Sequence, residues 1–239
     1  MPFSPFFNKS CKIINMQKVV ILYGAPGSGK GTQANLLASK FDLIHFDTGK
    51  FFEAVVHDPK NQKNPEIRAE RKLFDGGKLM TPSFVLKTVK KEAMEIHRAG
   101  YGIVFSGSPR TMFEAEGLMP ELLKLYGKKD INIFILDVPA TESIKRNSSR
   151  MMCKFCGYGL LTAYYDVKNP KHCPVCGGPF YKRTLDNPET IKIRLKEYNE
   201  RTAPIFGYMK KHGFKQVKIN ARPAPFKVFE KIVKELGVK

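Results

Sequence analysis

The feature that most restricts the architecture of this chain is a glycine-rich loop that joins an apolar strand to a helix. Residues 18–23 (KVVILY) form a β-branched apolar run, which predicts a buried parallel strand. The segment that follows, GAPGSGKGTQ, fits the pattern G-x-x-x-x-G-K, and apolar residues at helical spacing come after it. In such a unit, backbone N–H groups and the helix N-terminus bind phosphate oxygens. The sequence therefore predicts a nucleoside triphosphate site.

The lysine of this loop is expected to reach the β- and γ-phosphates. The residue after Lys30 is Gly31 rather than serine or threonine, and the hydroxyl comes one place later, on Thr32. Glycines let the backbone curl so that successive N–H groups point at the phosphates. The predicted triphosphate-binding residues of the loop are Gly24, Ala25, Pro26, Gly27, Ser28, Gly29, Lys30, Gly31 and Thr32.

Strands and helices alternate along most of the remaining chain. Thr81 and Asn187 each precede a proline, a pattern typical of a capping residue at the start of a helix. The alternation predicts an α/β fold in which helices cover both faces of a parallel sheet. Further strands are predicted at residues 43–46, 102–105, 131–137 and 214–219.

Two stretches interrupt the alternation and are interpreted as insertions. Residues 47–80 are helical and polar in pattern, whereas residues 151–182 are rich in Gly, Cys, Pro and Tyr. The second stretch carries four cysteines with the spacing C-x2-C-x16-C-x2-C, which is typical of a structural zinc site with four thiolate ligands. Thiols without a metal and an iron site are the alternatives. The predicted ligands are Cys153, Cys156, Cys173 and Cys176.

The charge of the chain favours a polyanionic partner. Lys and Arg number 41 against 22 acids, a net charge of +19, so nucleic acid, an anionic membrane and phosphorylated small molecules all stay open. No run approaches the roughly 18 to 20 apolar residues of a membrane-spanning helix, which excludes an integral membrane protein. Residues 1–16 do not resemble a signal peptide and are expected to form an N-terminal extension. Paired C-x-x-C thiols are typical of a reducing compartment, so we expect a cytoplasmic protein.

Several motifs together resemble the adenylate kinase family, nucleoside monophosphate (NMP) kinases that move the terminal phosphoryl group of ATP onto AMP. The loop GAPGSGKGTQ is similar to the family's phosphate loop, and LDVP at 136–139 is similar to its closing strand. RTLDNPETIKIRLKEYNERTAPI at 183–205 resembles the family's segment after the lid. Three further motifs match in the family's order: DTGK at 47–50 (S-T-G-D), GKLMTP at 77–82 (G-x-L-V-P) and SGSPRT at 106–111 (D-G-F-P-R-T).

The resemblance implies a domain organisation and a reaction. Residues 47–80 would be an NMP-binding insert and residues 151–188 a zinc-binding lid. The phosphate-loop core would then comprise residues 17–46, 81–150 and 189–239. The implied activity is reversible in-line transfer from ATP to an NMP, with AMP favoured as acceptor, by a monomer that uses Mg²⁺ and does not bind membranes.

The resemblance also implies the residues of the site. Arg146 and Arg150 are four residues apart, so both are expected on one face of the helix that follows LDVP. The residues implied for catalysis are Lys30, Arg110, Arg146, Arg150, Arg183 and Arg194. ATP would also contact Arg146 and Arg222. The implied NMP-binding residues are Thr48, Gly49, Lys78, Leu79, Met80, Gly107, Ser108, Arg110, Glu114, Arg183 and Arg194.

Several positions depart from the family pattern. Ser106 stands where the family has the aspartate that holds the water shell of magnesium, and Ser108 replaces its phenylalanine. The remaining departures are Lys50 for aspartate, Glu53 for the arginine that grips the acceptor phosphate, and Leu185 for the first of two acids, which leaves Asp186 alone.

Glu114 stands where the family has the glutamine that reads adenine, and this keeps other functions open. An ionised carboxylate only accepts hydrogen bonds, which suits the two adjacent donors of guanine, so a kinase for GMP is one alternative. The other is an ATP-binding protein of low or altered activity that binds RNA through its zinc ribbon and basic surface. Residues 205–239, with nine basic residues and two acids, favour that second alternative.

Overall fold

A computed structural model describes residues 17–164 and 170–237. The predicted N-terminal extension, residues 1–16, lies outside the described residues. Among residues 17–164 and 170–237, no helix has both the length and the apolar character needed to cross a bilayer.

The core is a parallel sheet of five strands, as predicted. Its strands are β1 (Val19–Gly24), β2 (Leu43–Phe46), β3 (Gly102–Phe105), β4 (Ile131–Asp137) and β8 (Gln216–Asn220), in the order β2-β3-β1-β4-β8. Every pairing within it is parallel, so the carboxyl ends of the strands lie at one edge. The last strand begins at Gln216 rather than at residue 214, because Phe214 ends the preceding turn with a bond from its N–H to the carbonyl of Met209.

Helices cover both faces of the sheet, which confirms the predicted α/β class. On one face, α1 (Lys30–Phe41) and α9 (Pro225–Glu235) pack over Val20 and Leu22. On the other face, α4 (Pro82–Arg98), α5 (Met112–Tyr126) and α8 (Ile205–Lys211) pack over Val19 and Ile21. These four strand residues are 0–2% exposed, so β1 is buried on both sides, as its unbroken apolar sequence predicts.

Two smaller units project from the carboxyl edge of the sheet. The first comprises α2 (Thr48–His57), a 3₁₀ turn (Pro59–Asn61) and α3 (Pro65–Asp75). The second is an antiparallel sheet in the order β6-β5-β7, formed by β5 (Arg150–Cys153), β6 (Gly159–Leu161) and β7 (Phe180–Tyr181). It lies between α6 (Ala140–Ser148) and α7 (Pro188–Glu197), and α7 continues as a π-helical turn (Tyr198–Thr202).

Two local predictions were wrong. Arg150 does not share a helical face with Arg146, because α6 ends at Ser148 and Arg150 begins β5, where it pairs with Leu161. The Thr81 side chain does not cap α4; its backbone N–H instead donates to Glu70 Oε2 at 2.9 Å. The second predicted cap is confirmed, since Asn187 Oδ1 accepts from the backbone N–H of Thr190 at 2.9 Å.

Candidate active site

A cavity of about 920 Å³ opens at the carboxyl edge of the sheet, where ligands bind in open parallel sheets. Nine basic side chains and three carboxylates line its described walls. The structure brings together there every phosphate-loop residue proposed above except Ala25, all the proposed NMP-binding residues, and Arg146, Arg150 and Arg222. Such an excess of positive charge in a concave site favours anionic ligands.

The glycines of the phosphate loop shape this end of the cavity. Gly27 and Gly29 have φ of +78° and +93°, a conformation that favours glycine. A Cβ at Gly24 would lie 2.6 Å from the carbonyl oxygen of Leu136, so the loop packs closely on β4 at that point. At Gly29 and Gly31 a Cβ would meet nothing within 4 Å, so the other side of the loop is open.

One hydroxyl of the loop is buried without a partner. Ser28 is 2% exposed, and its Oγ makes no hydrogen bond within the described residues. A buried hydroxyl that lacks a partner costs free energy. A phosphate in the loop would supply the missing acceptor, so this orphaned group fits an anion-binding cradle.

The Lys30 ammonium lies inside its own loop. Its Nζ donates to the carbonyl oxygens of Gly24 at 2.6 Å and Ala25 at 3.0 Å. Burial, and then the neighbouring guanidinium groups of Arg110, Arg194 and Arg150, lower the pKa of Lys30 well below its usual value. A phosphate in this loop would favour the charged form again, because its negative charge would attract the buried ammonium more strongly than it could in water.

Arg150 and Arg194 share one buried carboxylate. Arg150 donates to both oxygens of Asp186, from Nε at 2.9 Å and from Nη2 at 2.6 Å. Arg194 Nη1 lies 3.7 Å from the same carboxylate and donates to the carbonyl oxygen of Leu185 at 3.3 Å. Burial, and then nearby guanidinium groups, lower the pKa of Arg194 to about 9. One acid thus balances two cations, and the remaining charge is available to a ligand.

Asp186→Asn is expected to lower the free energy of unfolding by about 2–4 kcal/mol, because it leaves two guanidinium groups without their counterion. The loss should fall short of the value for a fully buried pair, since the Arg150 and Arg194 side chains are 21% and 23% exposed. Urea unfolding followed by circular dichroism measures it. In the control, Glu197→Gln breaks the more exposed Arg201 pair (3.5 Å) and should cost less than about 1 kcal/mol. Equal losses in the two variants would contradict the role given to Asp186.

Arg146 connects α6 with the loop after β8. Its Nε donates to Glu142 Oε1 at 2.6 Å, and its Nη1 and Nη2 donate to the carbonyl oxygens of Ala221 and Arg222, each at 3.0 Å. The hydroxyl of Tyr164 donates to the same Glu142 oxygen at 2.6 Å. Arg146 is 9% exposed and is therefore held rigidly where it lines the cavity.

Two departures from the family pattern contact the second projecting unit, which carries the four paired cysteines. Arg183 Nη2, on the segment that leaves this unit, lies 3.1 Å from Glu53 Oε2 on α2. Lys50 Nζ reaches the turn at Gly157. A Cβ added to this glycine would lie 3.1 Å from that Nζ. The two projecting units therefore touch each other across the mouth of the cavity.

Glu114 forms part of the N-terminal cap of α5. The Thr111 Oγ1 accepts from the backbone N–H of Glu114 at 3.2 Å and donates to Glu114 Oε1 at 3.0 Å. Glu114 Oε2 accepts from the backbone N–H of Arg110 at 2.9 Å. Burial raises the pKa of Glu114. The spacing T-x-x-E is that of a capping box, so this contact could have been predicted from the sequence.

The end of β2 holds two further cavity-lining side chains that the sequence analysis did not include among the site residues. His45 Nε2 lies 2.7 Å from Ser106 Oγ, and its Nδ1 lies 2.7 Å from Asn35 Oδ1. Asp47 caps α2, with Oδ1 accepting from the backbone N–H of Lys50 at 3.1 Å. Both line the cavity. Both lie at the carboxyl end of a predicted strand, His45 two residues before Asp47 and Asp47 as the first residue of DTGK. That position could have identified them as candidate site residues.

The four paired cysteines converge in the second projecting unit. Their sulfur atoms all lie within 4.8 Å of one another, with Cys153–Cys176 and Cys156–Cys173 separations of 3.4 and 3.6 Å. Four thiolates about 2.3 Å from a tetrahedral zinc would lie nearly 4 Å apart. Backbone N–H groups of Phe155 and Val175 donate to two of the sulfurs at 3.4 Å. This donor set fits a zinc ion with four thiolate ligands.

Comparison with known proteins gives one consistent result. The sequence model of a family described as adenylate kinase matches residues 22–214. A protein named adenylate kinase from Methanothrix thermoacetophila is 36% identical over 219 residues, which cover 91% of this chain and 98% of that protein. Its namesake from Caldicellulosiruptor saccharolyticus is 36% identical over 81% of this chain and 87% of its own length. A third protein of that name, from Chlamydia pneumoniae, is 32% identical over 90% of this chain and 96% of its own length.

Proposed function

Because the chain belongs to the adenylate kinase family, we propose that it transfers the terminal phosphoryl group of ATP to AMP and forms two ADP. The observation that carries this proposal is the cavity in which the phosphate loop faces a cluster of arginines. Transfer between two nucleotides requires in-line alignment of the phosphates and positive charge around the moving group, with little covalent chemistry.

In this mechanism the phosphate loop and Lys30 bind the β- and γ-phosphates of ATP. Arg110 and Arg183 bind the phosphate of the acceptor, and Arg150 and Arg194 stabilise charge on the group in transit. Closure of the second projecting unit, the sheet β6-β5-β7 with its four cysteines, over the cavity excludes water and so prevents hydrolysis of ATP. The Thr32 hydroxyl would hold the magnesium ion that accompanies ATP, and the ion would supply further neutralisation of the phosphate oxygens.

The four cysteines support a structural zinc ion. Four thiolates leave no coordination position for a substrate. Among the described residues of this unit, few large side chains are buried, with Met152 and Leu160 the main ones, and these form no extended hydrophobic core. We therefore assign zinc to the stability of this unit, which then acts as the lid.

A coupled assay of ADP formation from ATP, AMP and Mg²⁺ tests the proposal. Turnover is expected with AMP, and the rates with GMP, CMP and UMP define the acceptor range. If the purified chain binds ATP and zinc yet forms no ADP with any of these acceptors, the proposed activity is wrong.

A kinase for GMP is the second candidate, and Glu114 is the observation that favours it. Beside the bonds from Thr111 and Arg110, each carboxylate oxygen keeps a second lone pair that can accept from a donor of the guanine edge, whereas a glutamine can pair with adenine. We expect Glu114→Gln to raise the ratio of kcat/KM for AMP to that for GMP about tenfold, a change of about 1.4 kcal/mol. Glutamine is also an accepted partner in a capping box, so α5 should keep its start.

Thr111→Val is the matched control for that variant. It removes the hydroxyl of the cap but keeps the carboxylate, so it should lower the melting temperature and leave the AMP-to-GMP ratio unchanged. A ratio that moves as much in Thr111→Val as in Glu114→Gln would assign Glu114 to the cap alone.

A further inference from the structure

The residues that follow β2 and β3, beside the phosphate loop, differ from the family pattern in which of the two is acidic. Phe46 pairs with Phe105 in the parallel register, so Asp47 and Ser106 occupy the next position on neighbouring strands. Neighbouring strands lie about 5 Å apart. The acid that the family pattern places after β3 is absent at Ser106, and an acid stands instead at the tip of the adjacent strand.

A carboxylate at this edge has a defined task in phosphate-loop enzymes. Magnesium is held there by the hydroxyl of the loop and by an acid at the end of a neighbouring strand. The ion dehydrates reluctantly, so the acid binds the water molecules around it. Ser106 provides no charge for this purpose, and its Oγ is already engaged with His45 Nε2 at 2.7 Å.

Asp47 has the freedom that this task requires. Its Oδ1 accepts from the backbone N–H of Lys50, whereas its Oδ2 takes no hydrogen bond from the part of the chain that the structure describes. The other two carboxylates that line the cavity are engaged: Glu114 in the cap of α5, and Glu197 with Arg201 at 3.5 Å. Asp47 is close enough to the loop for its negative charge to raise the pKa of Lys30, which partly offsets the lowering caused by burial and by the arginines.

We propose that Asp47 is the carboxylate that binds the water shell of the magnesium ion accompanying ATP, in place of the acid absent at Ser106. This assignment rests on the proposed function, since it requires ATP in the phosphate loop. Asp47 is a positioning residue in this arrangement: it orients the waters of the metal and does not contact the phosphates.

Calorimetric titration of ATP, in saturating Mg²⁺ and separately in EDTA, tests the assignment. Asp47→Asn keeps the cap of α2, because asparagine is as good a capping residue as aspartate. The wild-type chain should bind ATP more tightly with Mg²⁺ than in EDTA. Asp47→Asn should weaken binding in Mg²⁺ by about 10-fold or more and leave binding in EDTA unchanged. Electron paramagnetic resonance of Mn²⁺ added with ATP gives a second measure of metal affinity.

Two further variants separate the role in metal binding from a structural one. Asp137→Asn removes an acid at the tip of β4 that pairs with Lys218 at 3.1 Å, and it should leave both affinities unchanged. Asp47→Asn combined with Ser106→Asp returns the acid to β3 and should restore the effect of Mg²⁺. If Asp47→Asn fails to fold, Asp47→Ser also keeps a capping side chain and takes its place in the titration.

The outcomes distinguish this assignment from the proposed function. The same Mg²⁺ effect in the wild-type chain and in Asp47→Asn would overturn the assignment of Asp47 alone. A wild-type chain that binds no ATP, with or without metal, would overturn the proposed function as well.

Discussion

Replacing Lys30 by methionine is expected to lower kcat/KM for ATP and AMP by about 10³-fold. The ammonium is the one side-chain charge that the phosphate loop itself brings to the β- and γ-phosphates. Methionine retains an unbranched stem of similar length, so the packing around the loop changes little. Steady-state kinetics with ADP detection measure the loss.

The thermal stability of Lys30→Met should not fall, in contrast to its activity. Burial and neighbouring arginines lower the pKa of Lys30, so its charged form is disfavoured in the folded chain, and its removal should leave the melting temperature unchanged or raised. Lys40→Met, on the exposed side of the same helix, is the matched control and should change neither quantity. Activity in Lys30→Met within tenfold of wild type would refute the role of the ammonium.

Replacing Cys173 by serine is expected to remove zinc from the chain and to lower kcat by at least about 100-fold. A site with three thiolates binds zinc far more weakly, and in the role proposed above the metal supplies the folding free energy of this small unit. Without an ordered lid, Arg183 loses its position and water enters the cavity, and misplacement of such groups costs about 100-fold in rate. Elemental analysis and limited proteolysis of the lid measure the two effects.

His172→Ala provides the control for the zinc experiment. His172 is adjacent to Cys173, but its Nδ1 lies 3.2 Å from the carbonyl oxygen of Gly177. Its ring is not part of the cluster of ligand atoms, which the four cysteines form. This variant should retain one zinc ion and wild-type activity. A Cys173→Ser chain that keeps both its zinc and its activity would show that the metal does not hold the lid together.

The parts of the fold that depend on nearby residues were predictable from the sequence. The phosphate loop, the parallel strands and the cap at Asn187 each follow from residues that lie close together in the chain. The position of Arg150 was mispredicted because its pairing with Leu161 ends the preceding helix, and a four-residue spacing does not reveal such a contact. The same holds for Thr81, whose N–H is satisfied by Glu70 rather than by a local cap.

The contacts that complete the site join residues far apart in the sequence. Glu53 and Arg183 are separated by 130 positions, and neither has a neighbour in the chain that predicts the pair. Arg150 and Asp186 are 36 positions apart and meet where the paired strands β5 and β7 enter and leave the small sheet. The sequence could therefore supply the residue types of the site, but not the partner of each charge.

The Arg150–Asp186 pair has a mechanical consequence. The lid is attached to the rest of the molecule by two stretches of chain, one that enters at Arg150 and one that leaves at Asp186. Two parallel hydrogen bonds between these side chains resist any twist of one attachment against the other. The two attachments are therefore joined side by side at this point, so that a displacement of one is passed directly to the other.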